Sequence, residues 1–95
     1  MDQEKTEAFY KSLEDKLALD SQWPAPYLYK FIVPTSQEKV AAIEAIFKQQ
    51  KAKISKRSSS KGSFTSVSVK LILDSPKAVI KNYKAVAAVE GVISL

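Results

Sequence analysis

The sequence predicts an α+β sandwich: a four-stranded antiparallel sheet backed by two helices, with an extra helix ahead of it. Three observations point there. Residues 64–73 place Val67, Val69, Leu71 and Leu73 on one parity and Phe64, Ser66, Ser68, Lys70 and Ile72 on the other. That period of two belongs to a half-buried strand. Residues 27–33 alternate in the same way, with Tyr29, Phe31 and Val33 against Leu28, Lys30 and Ile32. Two further segments begin with helix-start signals, at Thr35 and at Ser75-Pro76, and continue with apolar residues at helical spacing.

Taken in order, residues 2–19 read as a helix with Phe9, Leu13 and Leu17 as its only apolar stripe, so this helix must dock on something. The connector Gln22-Trp23-Pro24-Ala25-Pro26 carries two prolines that forbid helix. The first strand follows and ends at Pro34. Thr35-Ser36-Gln37-Glu38 has the spacing of a capping box, with Thr35 as the cap. The helix it opens runs to about Gln50 with Val40, Ile43, Ile46 and Phe47 inward. Residues 52–60 form a weaker, basic edge strand. A tight turn at Lys61-Gly62 uses the positive φ open to glycine. After the central strand, Ser75 caps a helix with Pro76 at its first position. Val79, Ile80, Tyr83 and Val86 are its apolar stripe, Gly91 breaks it, and residues 92–95 form a short last strand. The order after residue 26 is β-α-β-β-α-β, the ferredoxin-like split βαβ arrangement. Right-handed crossovers put both helices on one face and leave the other face open. The chain thus divides into a helix and linker at 1–22 and a ferredoxin-like domain at 23–95.

Composition narrows the chemistry. The 95 residues contain no cysteine and no histidine. Disulfides, thiolate metal sites and the commonest general base and metal ligand are therefore excluded. No apolar run approaches the ~20 residues that span a bilayer, and no signal peptide is visible, so a soluble cytoplasmic protein without cofactor or metal is expected. The net charge of +5 is uneven. Residues 1–20 hold six acidic and three basic groups, whereas residues 21–95 hold four acidic and twelve basic ones. Lys48, Lys51, Lys53, Lys56, Arg57 and Lys61 run without an intervening acid. Such a run can meet an anionic partner. It also keeps an exposed edge strand from pairing with another chain, and we favour that reading.

The string Ser59-Ser60-Lys61-Gly62-Ser63-Phe64-Thr65-Ser66-Val67-Ser68-Val69, with Pro26-Tyr27-Leu28-Tyr29-Lys30-Phe31 before it, resembles the YbeD-like family over residues 25–95. This is a bacterial family of unknown function. The resemblance implies a ferredoxin-like fold similar to the ACT regulatory domain, and it implies no catalytic or ligand residues. The acidic helix at 1–20 lies outside it.

No enzyme is expected. The domain's acids are Glu38, Glu44, Asp74 and Glu90, and Glu38 and Asp74 are accounted for at helix starts. A serine nucleophile among Ser58 and Ser60 beside Lys56 would need a desolvated lysine and an oxyanion site. Lys61-Gly62-Ser63 joins two strands and lacks the upstream glycine of a P-loop. The element order is also that of RNA-recognition motifs, but Ser63 and Thr65 stand where stacking aromatics are needed. Phe64 lies one residue out of register. The open face then gathers Leu28, Ile32, Phe64 and Ile72, a cluster that asks for a cover. The expected cover is the acidic helix, from the same chain or swapped from a partner. The rival cover is a homodimer made through the sheet edge or open face. The expected function is a non-enzymatic, ACT-like regulatory or protein-interaction module, with Lys56, Arg57, Lys61, Phe64 and Lys70 as partner-binding residues. The alternative is a single-stranded RNA binder that uses the basic run 48–61.

Overall fold

A computed structural model describes residues 3–20 and 22–95. Asp2, where the first helix was expected to start, lies outside the described residues. The elements are α1 (Gln3–Asp20), β1 (Ala25–Pro34), α2 (Gln37–Phe47), β2 (Lys53–Ser58), β3 (Phe64–Leu73), α3 (Pro76–Ala87) and β4 (Ile93–Ser94). The sheet order is β2-β3-β1-β4, with antiparallel neighbours throughout. This is the ferredoxin-like arrangement. The two ten-residue strands β1 and β3 pair along their whole length, from Ala25 opposite Leu73 to Pro34 opposite Phe64. They form the centre of the sheet.

Strand alternation decides what each face does. Tyr29, Phe31 and Val33 of β1 and Val67, Val69, Leu71 and Leu73 of β3 are buried under the helices. Ile43 and Phe47 of α2 and Val79 and Val86 of α3 meet them from above. Aromatic rings fill the middle of this layer. The Tyr29 ring centre lies 5.5 Å from that of Phe31, 5.3 Å from Phe47 and 4.9 Å from Tyr83. Each such pair adds about 0.5–1.5 kcal/mol beyond its buried area.

Polar groups inside this layer are matched. The Tyr29 hydroxyl donates to the carbonyl oxygen of Val79 at 3.0 Å, joining β1 to α3. Asn82, also buried, exchanges two amide hydrogen bonds with Gln50, at 3.0 and 3.1 Å. The second pair ties α3 to the 3₁₀ turn Lys48–Gln50 that follows α2. Burial holds the Tyr29 phenol protonated well above the ordinary range, helped by the neighbouring Tyr27. Tyr83 is raised in the same direction, by burial first and then by its hydrogen bond with Tyr27.

Several local expectations shift. The cap of α2 is Ser36, whose Oγ accepts from the Lys39 amide at 3.3 Å. Thr35, just past the end of β1, stays tied across to the start of β3: its amide donates to the Ser63 carbonyl, and its hydroxyl meets that of Thr65 at 3.0 Å. The α-helix stops at Phe47, and the chain leaves the 3₁₀ turn through Lys51 at φ 55°. The β2–β3 connection spans residues 59–63 and is wider than a tight turn, with Gly62 at φ 72° as expected. Ser75 does cap α3 through the Ala78 amide, with Pro76 at its start.

The largest correction concerns α1. Within its own chain it does not lie across the free face of the sheet. It packs on α3, on the helix side of the molecule. Three contacts fix it there. The Lys84 ammonium reaches the Glu7 carboxylate at 3.4 Å and sits 5.5 Å from the Tyr10 ring centre. The Trp23 indole packs on the core and donates to the Leu17 carbonyl at 3.3 Å. The docked stripe is therefore Tyr10, Leu13 and Leu17, all half-buried. Phe9 stays 63% exposed, since one residue on a helix turns the side chain by about 100°.

Candidate functional site

With α1 on the other side, none of the described segments covers the open face of the sheet. Cross-strand register lays it out in rows. Lys53 stands opposite Lys70, which stands opposite Leu28. Ser55, Ser68 and Lys30 form the next row. Arg57, Ser66, Ile32 and Ile93 form the third. Ile72 and Phe64 lie at the two ends of β3.

These side chains are accessible. Leu28 is 62% exposed, Ile72 70%, Ile93 53% and Phe64 47%. Lys30, Lys53, Arg57 and Lys70 are all exposed among them, and the rows contain no carboxylate. The face is thus apolar and cationic together. A patch of this kind is unusual on a surface that meets only water.

The structure separates residues that adjoin in sequence. Arg57 and Lys70 share the open face, and Phe64 joins them. Lys56 does not: it pairs with the buried Val67 in register and its ammonium reaches the Glu44 carboxylate of α2 at 3.3 Å. Lys61 lies in the hairpin loop, beyond the strands. Lys30 and Lys53 were missed as site members. Strand parity carried that signal, because Lys53, Ser55 and Arg57 alternate with Ile54 and Lys56.

A groove of about 400 Å³ opens where the hairpin loop meets this face. Ile32, Arg57, Ser58, Ser59, Ser60, Phe64 and Ser66 line it. The Ser59 hydroxyl oxygen accepts from the Phe64 amide at 3.2 Å, and the Ser66 hydroxyl donates to the Arg57 carbonyl at 3.3 Å. Among the described residues, Arg57 makes no ion pair.

Four of these groove residues, Ser59, Ser60, Phe64 and Ser66, belong to the string that resembles the YbeD-like proteins. A family model described as "Protein of unknown function (DUF493)" matches residues 20–95. The chain belongs to this family. The DUF493 match takes in the whole sheet, α2 and α3, and it leaves nearly all of α1 outside. No curated protein and no solved structure matches the chain. No helix among the described residues is long and apolar enough to cross a membrane.

Proposed function

We propose that this DUF493 protein is a non-enzymatic interaction module that binds a protein partner through the open face of its sheet. One observation carries the reading: Leu28, Ile72, Ile93 and Phe64 are exposed on one face, interleaved with Lys30, Lys53, Arg57 and Lys70 and with no carboxylate. Buried apolar area supplies affinity at such a surface, and the charges select the partner. The fitting partner carries apolar residues flanked by Asp and Glu. A second copy fits poorly, because stacking two such faces opposes like charges. The module works by occupancy, as a regulatory subunit does. The phenols of Tyr29 and Tyr83 keep their protons at neutral pH and serve the core rather than proton transfer.

The test is in-cell photocrosslinking from position 72 on the face and from position 19 on the outer side of α1. The reading expects a discrete protein adduct from position 72 that disappears with Lys70→Glu, and no such adduct from position 19. Equal adducts from both positions would count against it.

A second reading has its own support. Phe64 and Lys70 are exposed on the same face as Arg57. An aromatic ring among cations is the minimum for non-specific single-strand binding. Nucleic-acid adducts from position 72, in place of protein adducts, would favour that alternative.

A further inference from the structure

We propose that the groove at the β2–β3 hairpin is also a small-ligand site, built for a phosphate ester whose organic part has a flat face, the chemistry of a nucleotide. It shares Arg57 and Phe64 with the open face, so a ligand there and a partner on that face compete for these two side chains.

The donors come first. Arg57 offers a planar fork of N–H groups and has no carboxylate partner among the described residues. The Ser60 hydroxyl makes no hydrogen bond among the described residues, whereas Ser58 stands opposite the buried Thr65 and, like Lys56, has the parity of the helix side, so its hydroxyl is not among the donors. Ser59 uses its oxygen as an acceptor for the Phe64 amide, so its O–H remains able to donate. The Ser59 and Ser60 hydroxyls and the Arg57 guanidinium thus belong to one groove whose lining contains no acid. A carboxylate accepts about four hydrogen bonds on two oxygens in one plane. A phosphate ester presents three oxygens, and arginine meets it with two parallel bonds.

The apolar wall comes second. Phe64 and Ile32 line the same groove. Arg57 stands opposite Ser66 in register, and Phe64 lies two residues along the strand from Ser66. Such diagonal neighbours are about 7–8 Å apart on one sheet face, within reach of long and aromatic side chains. A ring lying on Phe64 and a phosphate at Arg57 are therefore compatible with one ligand. Inorganic phosphate alone leaves Phe64 unused, and an uncharged ring leaves Arg57 and the serines unused.

The test is an amide-shift titration of the full chain with AMP, adenosine, inorganic phosphate, and a trinucleotide with and without a 5′-phosphate. AMP is expected to saturate shifts confined to residues 57–66, about ten-fold more tightly than adenosine or phosphate. Arg57→Gln and Phe64→Leu should each weaken AMP about ten-fold; Arg57 is exposed and unpaired, so its variant keeps the fold. Free AMP binding more tightly than both trinucleotides assigns the site to free nucleotides. Preference for the 5′-phosphorylated trinucleotide assigns it to strand ends. Absence of saturable AMP shifts at millimolar concentration overturns the proposal. So does AMP affinity unchanged by Arg57→Gln, or inorganic phosphate binding as tightly as AMP.

Discussion

Replacing Tyr29 by phenylalanine separates the ring, which fills the core, from the hydroxyl, which joins β1 to α3. The ring is fully buried and its hydroxyl donates to the Val79 carbonyl at 3.0 Å. Tyr29→Phe keeps the packing and removes one buried hydrogen bond together with its donor. The cost at pH 7 is about 1 kcal/mol, or a fall in Tm of about 4–8 °C for a domain of this size. Alkaline pH then works in the opposite direction. Burial raises the Tyr29 pKa in the fold, while the unfolded chain titrates near the ordinary value of about 10. Below that value the tyrosine's stabilisation is fully present. Above it the unfolded chain releases a proton that the folded chain retains, so stability falls as pH rises. The loss reaches about 1.4 kcal/mol by pH ~11 for this group. Tyr29→Phe lacks that loss, so the two stability curves should cross between pH ~10 and ~11. Urea unfolding at pH 7, 9, 10 and 11 reads both effects. No cost at pH 7, or an alkaline decline as steep in the variant as in the parent, would refute the reasoning.

Three other outcomes follow from the packing. Phe47→Ala removes a buried ring beside Tyr29 and Phe31 and should cost about 3–5 kcal/mol in urea unfolding. Gly62→Ala meets open space and pays only for positive φ, about 1–2 kcal/mol, whereas Gly91→Ala also sets a Cβ 3.1 Å from the Pro34 ring, so the Gly91 variant should melt lower. Truncation of residues 1–22 should shift amide resonances of α3 around Tyr83 and Lys84 while leaving Leu28 and Ile72 unmoved, because α1 covers the helices and not the open face.

The sheet was legible in the sequence because its signal is local. Alternation along residues 27–33 and 64–73 assigns each side chain to a face, and the burial of Tyr29, Phe31, Val67 and Val69 against the exposure of Leu28, Phe64 and Ile72 follows that parity. The same rule separates Arg57 from Lys56, although net charge along the run does not. The position of α1 was less legible. Its apolar stripe is thin, and exchanging Phe9 for Tyr10 turns the docking face. What fixes it is tertiary: the Trp23 indole on Leu17 and the Lys84 ammonium shared between Glu7 and Tyr10. The cap at Ser36 was displaced for a similar reason, since Thr35 is claimed by Ser63 and Thr65 across the sheet. The hairpin groove had no sequence signal of its own. It exists because a five-residue loop folds its serines beside Arg57 of β2 and Phe64 of β3.

The central claim is that the open face is exposed in the free protein and covered when the protein works. Lysine footprinting tests it directly, comparing the purified protein with the same protein in its native cells. Lys30, Lys53 and Lys70 report the open face, and Lys11, Lys77 and Lys81 report other exposed positions on α1 and α3. All six should label readily in the purified protein. In cells the first three should be protected and the last three should not. Equal labelling of both sets in cells would contradict the account.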